Sequence, residues 1–287
     1  MAKELDFDKR SENNFLVYAA SVIKARAISD AEDNLKPVQR RILFSMGESK
    51  INHDSKTVKC AKVVGNVMGN LHPHGDSSIY EALMRLAQPW KMRYPLIYVQ
   101  GNVGNVMGDG PAAARYTECK LSEFGDLMLE GLDEGVVNFV DNYDNTSKEP
   151  TLLPSLFPNV LCNGNMGIAV GLSASLVPYN LKEVCAAIVA RVANESNPLS
   201  HITGPDFPTG GKVINAENLP EIYQSGRGTI KVQSHYKLEQ HNGKTEIIFT
   251  DLPYGVETES GVIAPLKKFI LEEGNDYFDN YLDETSD

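Results

Sequence analysis

The stretch GNVGNVMGDGPAAARYTE, residues 101–118, carries four glycines and a proline within eleven positions. Such a run cannot hold the interior of a helix or a strand, so it predicts a surface loop that divides the chain. Ahead of it the apolar residues recur at helical spacing. In 12–27 they are Phe15, Tyr18, Ala19, Val22 and Ile23, an i, i+3, i+4, i+7, i+8 stripe. Asp33-Asn34 marks a turn, because Asn tolerates left-handed backbone. Pro37 opens a second helix with Val38, Ile42, Leu43 and Met46 on one face and Gly47 as its stop. Residues 56–70 read as a third helix with Ala61, Val64, Val67 and Met68 apolar. A fourth follows LHPHGD, capped by Asp76 or Ser77, with Ile79, Leu83, Leu86 and Ala87 inward. Short helices that start with Lys and Arg suggest a helix-turn-helix or winged-helix body.

Beyond the helices the pattern changes. YPLIYVQ (94–100) reads as a strand, and 158–180 mixes short apolar runs with glycines, as tight turns and β-wings do. Residues 181–195 form another amphipathic helix, and HITGPDFPTGG is a Pro/Gly connector. After it TIKVQSHYKL and TEIIFTDL alternate as strands joined at Asn242-Gly243, a hairpin signal. A last helix is expected near 259–273, with Val262, Ile263, Leu266, Phe269 and Ile270 inward and Pro265 confined to its first turns.

Charge adds a direction. The 287 residues carry a net charge of −11, yet residues 1–120 hold 17 Lys and Arg against 13 Asp and Glu, and residues 121–287 hold 10 against 25. Lys24, Arg26, Lys36, Arg40, Arg41, Lys50, Lys56, Lys59 and Lys62 crowd one segment, and Arg85, Lys91, Arg93, Arg115 and Lys120 follow. This is the footprint a phosphate backbone needs, and nucleic acid on this chain would follow residues 20–120 and avoid the acidic remainder. Cys60, Cys119, Cys162 and Cys185 show no CxxC spacing, which argues against a zinc ribbon or disulfide framework and for a reducing compartment. No apolar run reaches the ~18–20 residues of a membrane span, and the polar start MAKELDFDKRSENN does not read as a secretory signal.

Three constellations could carry chemistry. Arg115-Tyr116 pairs a nucleophile with a cation: a tyrosine phenol needs help to attack, and guanidinium stabilises charge spread over a phosphodiester in flight. His72-Pro73-His74-Gly75-Asp76 could ligate metal, donate to phosphate or cap a helix. HxH with a downstream Tyr occurs in rolling-circle nicking enzymes, but Pro is a poor fit between those histidines. Asn163–Gly171 lacks the Lys-Ser/Thr of an ATP-binding P-loop. Its glycines suit close packing, and Ile168 could wedge between DNA base steps.

Five blocks in order, LKPVQRRIL (35–43), GNVMGNLHPHGDSSIYEAL (65–83), QGNVGNVMGDGPAAARYTE (100–118), FPNVLCNGNMGIAVG (157–171) and GPDFPTGG (204–211), resemble the breakage-rejoining A subunit of bacterial type IIA topoisomerases, DNA gyrase and topoisomerase IV. The resemblance runs from about residue 11 to the last. It implies an α+β fold: a winged-helix DNA-gate domain over 1–204, then the first part of an α/β tower over 205–287. It implies that Tyr116 attacks a DNA phosphate and holds the 5′ end, with Arg115, Arg26, Lys36, His72 and His74 around the phosphate. It places Ile168 at the intercalating position, Arg40, Arg41, Lys59, Lys62 and Arg85 against DNA, and Ser77 and Glu81 at the quinolone-contacting positions. Each protomer of a two-fold dimer cuts one strand of double-stranded DNA so that a second duplex passes. The resemblance puts Mg²⁺-binding carboxylates and the ATPase on a separate B-type subunit. It puts the enzyme in the cytoplasm, at the nucleoid or, for a viral chain, in the host. The sequence departs from the family at Asn34, where Gly is usual, and at Ala114, where Met is common. It stops at Asp287, inside the tower and before any exit gate. The expectation is a split subunit completed by another chain. The alternative is a DNA-gate-like binding protein that does not cut.

Overall fold

The computed structural model describes residues 7–272 and 278–285. Two helices open the chain, α1 (Phe7–Val22), which widens into a π-helical turn at Ile23–Ala27, and α2 (Pro37–Glu48). Strand β1 (Val58–Lys59) runs directly into α3 (Cys60–Asn70), and α4 (Asp76–Arg85) follows. Strands β2 (Ile97–Gln100) and β3 (Glu118–Leu121) flank the glycine-rich loop, and β3 lies between β1 and β2 in an antiparallel sheet. The core forms where α2, α3, α4 and this sheet meet: Ile42, Leu43, Met46, Val63, Val67, Ile79, Leu83, Ile97 and Leu121 are all buried there. Val58 belongs to β1 and not to the expected third helix because its backbone pairs with Cys119.

Helix α2 matches its sequence signal. Pro37 sits in its first turn, and Gln39 Oε1 accepts the Lys36 N–H at 2.9 Å. Gly47 does not stop it. A Cβ there would lie 2.7 Å from Leu129 Cδ1, so this glycine lets α5 (Glu123–Leu129) pack against α2. Helix α1 departs from expectation in a different way. Ala19 is buried, but Phe15 and Tyr18 stand 55% and 61% exposed, because nothing among the described residues covers that face. The α4 start also differs, with Gly75 at its N-cap making no side-chain bond.

Hairpin β4 (Phe139–Asp141) and β5 (Lys148–Pro150) rests against α2 through Phe139 and Phe44, 6.3 Å apart. The short α6 (Asn159–Cys162) leads into hairpin β6 (Asn165–Ala169) and β7 (Leu172–Leu176), and α7 (Leu181–Val192) follows. The last part holds β8 (Lys212–Val213), α8 (Leu219–Ser225), β9 (Val232–Gln233), β10 (Tyr236–His241), β11 (Lys244–Phe249), a π-helical turn at Thr258–Ile263 and α9 (Ala264–Glu272). Asn242 and Gly243 both take positive φ, 52° and 77°, as a type I′ turn requires. The single strand expected over 229–238 is two, since Asp251 Oδ1 takes the His235 N–H at 2.8 Å and β9 pairs instead with β8. Ile263 is buried, Val262, Leu266 and Ile270 are half-buried, and Phe269 is exposed; residue 273 of the expected helix lies outside the described residues. Cys60, Cys119 and Cys162 are buried free thiols and Cys185 is an exposed one. No helix among the described residues is long and apolar enough to cross a membrane.

One buried ion pair ties these parts together. Asp33, fully buried, accepts from Arg40 Nε at 2.7 Å and Nη2 at 2.9 Å, from the Leu35 N–H at 3.0 Å and from the Leu153 N–H at 3.0 Å. Burial works against the Arg40 charge, but Asp33 and Asp30 more than offset it and hold the guanidinium above its ordinary value. Removing one partner of a buried pair strands the other. Asp33→Ala is expected to cost about 3–5 kcal/mol in a urea titration. Asp30→Ala, at the exposed end of the cluster, should cost about 1 kcal/mol or less.

Candidate functional site

Helix α3 is the axis of the site. At its start the helix leaves N–H groups without intrahelical partners. The Thr117 carbonyl accepts from the Cys60 N–H at 3.0 Å, and the Ala114 carbonyl from the Ala61 N–H at 3.1 Å. The segment 114–117 is thereby strapped to the helix end. Tyr80 adds a second strap, its hydroxyl donating to the Ala112 carbonyl and lying 2.8 Å from Thr117 Oγ1. On this braced loop Tyr116 stands 63% exposed, with the Arg115 guanidinium 4.6 Å from its ring centroid. Lys59 Nζ reaches the Tyr116 carbonyl at 3.5 Å and pairs with Glu118 at 2.9 Å.

The other end of α3 carries the histidines. The His72 N–H closes on the Val67 carbonyl at 2.8 Å, and the rings of His72 and His74 meet edge to face, 4.4 Å apart. His72 is buried and His74 is exposed. Arg41 Nη1 lies 2.8 Å from His72 Nδ1, while its Nε and Nη2 donate to Glu149 Oε2 and Oε1 at 2.7 and 2.6 Å. Burial first, then the charges of Arg41, His74 and Arg26, push the His72 pKa down to about 4. Arg26 thus belongs electrostatically to this end and is itself exposed on the π-helical turn. The eleven residues of α3 span about 16 Å at 1.5 Å per residue. Tyr116 and the His72–His74 pair are therefore anchored to opposite ends of one rod.

Lys36 and Ile168 form a third group. Asn34 takes left-handed backbone, φ 57°, and its Nδ2 donates to the Gly164 carbonyl at 2.7 Å. That bond sets β6 beside α2, where Lys36 Nζ donates to the Met166 carbonyl at 3.4 Å. Burial, then the Arg85 charge, lowers the Lys36 pKa. Ile168 is not at the turn but within β6, opposite Ser173, and 76% exposed. Gly167 beside it is an obligate close approach, since a Cβ would lie 2.5 Å from the Ala27 carbonyl oxygen.

Two expected DNA contacts have their guanidinium groups engaged within the chain. Arg40 is buried on Asp33 and Asp30, and Arg41 has its fork spent on Glu149 and His72. Neighbouring helical residues point about 100° apart, at 3.6 residues per turn, so each arginine meets a different set of partners. Here neither presents a free guanidinium. Lys59, Lys62 and Arg85 are exposed, as are Ser77 and Glu81, one turn apart on α4. Among the described residues no three His, Cys, Asp or Glu side chains gather as a metal centre would need. The sequence reading missed Glu149, which in KEP looks like any solvated acid and whose partner lies 108 residues away.

The family model for the A subunit of DNA gyrase/topoisomerase IV matches residues 26–287. The chain belongs to this family of type IIA topoisomerase A subunits. It is 45% identical over 276 residues to the DNA gyrase A subunit of Thermotoga maritima, covering 95% of this chain and 34% of that protein. It is 44% identical over 280 residues to the DNA gyrase A subunit of Treponema pallidum, again 95% and 34%. It is 46% identical over 262 residues to the DNA topoisomerase 4 A subunit of Caulobacter vibrioides, 89% and 34%. The chain spans about a third of the length of these curated relatives.

The lowered His72 pKa has a consequence for the stability of this topoisomerase chain. As pH falls from about 6.5 to about 4, the unfolded chain takes up a proton that the folded one refuses at His72. Unfolding free energy should drop across that window by up to about 3 kcal/mol. Urea titrations at stepped pH should show His72→Asn losing that share of the slope.

Proposed function

We propose that this chain carries the DNA-cleaving and religating site of a type IIA topoisomerase. Tyr116 Oη loses its proton to solvent and attacks a phosphodiester; the P–O3′ bond breaks as the O–P bond to tyrosine forms, and solvent supplies the proton taken up by O3′. The 3′ oxygen leaves with a proton, and the 5′ end stays on the protein. Resealing is the reverse, with the bond energy kept in the phosphotyrosine ester. Arg115 stabilises the charge on the phosphate in transit.

The observation that carries this reading is the braced, exposed Tyr116 under Arg115, set at the far end of α3 from Arg26, His72 and His74. A rod of about 16 Å keeps the two halves from sharing one phosphate within a chain. In a two-fold dimer, Tyr116 of one protomer meets the histidine end of its partner, and two such sites cut the two strands. Lys36, Lys59, Lys62 and Arg85 hold backbone phosphates, and exposed Ile168 enters the base stack and bends the duplex. Residues 1–204 act as a winged-helix gate with β6–β7 as a wing, and 205–287 are the first part of the tower. A B-type subunit holds Mg²⁺ at its carboxylates and uses ATP. Ser77 and Glu81 bear on quinolone binding. The site is cytoplasmic, wherever the DNA is.

Cleavage assays with Mg²⁺ and a B-type subunit, stopped with detergent, test this directly. Wild type should leave protein on 5′ ends, and Tyr116→Phe should leave none. Ile168→Ala should keep the covalent link but lower bending and cleavage about tenfold, the order expected when a wedge worth a few kcal/mol is lost. Cleavage retained by Tyr116→Phe contradicts the proposal.

A further inference from the structure

Glu149 lies on β5, outside every block that signals the function, yet both its carboxylate oxygens hold a side chain that reaches His72. Its two carboxylate oxygens take Nε and Nη2 of Arg41, at 2.7 and 2.6 Å, in a two-pronged pair with Glu149 11% and Arg41 24% exposed. The third direction of the Arg41 fork is fixed by this clamp and points at His72 Nδ1, 2.8 Å away.

A guanidinium only donates and keeps its charge at any ordinary pH. His72 Nδ1 must therefore accept, and the proton of the imidazole must sit on Nε2. The groups that face His72 agree. Arg41 comes from α2, His74 from the same loop and Arg26 from the π-helical turn, and all three oppose a positive charge on His72. Glu149 from β5 touches Arg41 and not His72.

We propose that Glu149 is a positioning residue: it clamps Arg41 so that Arg41 pins His72 as the neutral Nε2–H tautomer, presenting one fixed, uncharged donor toward the phosphate. The inference rests on the functional reading above for what His72 faces, but its geometry stands alone. The clamp also neutralises Arg41 locally, leaving Arg26 as the uncompensated guanidinium of that end. Hairpin β4–β5 then has a role beyond packing, because it delivers the carboxylate to α2 across 108 residues of chain.

The test reads His72 by long-range ¹H–¹⁵N correlation spectra of the full chain, assigned by His72→Gln. Wild type should show the Nε2–H tautomer and no titration of His72 between pH 5 and pH 8. In Glu149→Gln, and in Arg41→Lys, whose ammonium cannot bridge both partners, His72 should lose the fixed Nε2–H preference and show mixed tautomers. With a B-type subunit present, both variants should cleave DNA about 10- to 100-fold more slowly at neutral pH. Glu149→Asp should restore part of the wild-type tautomer.

A wild-type His72 that carries its proton on Nδ1 or titrates within that range overturns the inference. So does a folded Glu149→Gln whose His72 spectrum matches wild type, which would leave Glu149 a brace alone. Failure of the functional reading looks different: wild type forms no covalent DNA adduct while its His72 spectrum remains as described.

Discussion

Asp33 is the constraint on which the rest of the molecule is built. Its carboxylate is fully buried and takes four donors from three stretches of chain: Arg40 twice, Leu35 and Leu153. Its own carbonyl accepts from Asn159 Nδ2 at 2.8 Å, and its neighbour Asn34 holds Gly164. A buried carboxylate tolerates this position only because a guanidinium and amide donors replace its water. The result is that the turn before α2, the segment after β5 and the entry to β6 share one register. Arg41, Lys36 and Ile168 are placed by that register and not by local sequence.

The second organising element is α3, which holds the Tyr116 loop at one end and the histidine pair at the other. Its first turn is capped by the carbonyls of the loop that carries Tyr116, so that loop is set by helix-end hydrogen bonding. Its last turn delivers His72 and His74 beside Arg26. Burial and the neighbouring Arg41 and Arg26 keep His72 neutral, which limits how much positive charge that end of the helix concentrates. In the proposed dimer, Tyr116 at one end of α3 and His72 and His74 at the other would make each protomer half of two sites and couple cutting to assembly.

Much of this was legible in the sequence, and the misses have physical causes. The helical periods of α2 and α4, the Asn242-Gly243 turn and the glycine-rich loop around Tyr116 rest on local rules, and they hold. Periodicity in α1 correctly marks an apolar face, but it cannot say what covers that face, and Phe15 and Tyr18 stay exposed. Arg40 and Arg41 read alike as DNA contacts because adjacent basic residues carry no label for their partners. Only folding reveals that Asp33 claims one and Glu149 the other. Glu149 had no local signal, since its meaning lies in a contact distant in sequence. The family resemblance supplied the identity of the Tyr116 loop, and the structure adds why that loop is stiff.

The central claim is that the site is shared between protomers, and mixing of variant protomers tests it most directly. One protomer would carry Tyr116→Phe and the other Arg26→Ala with His74→Ala, each inactive as a homodimer. If Tyr116 works with its partner's histidine end, the mixed dimer contains one intact site and should nick one strand and hold its 5′ end. If both halves act within one chain, the mixed dimer contains no intact site. No covalent DNA in the mixture, with each variant folded and dimer exchange verified, would contradict the account.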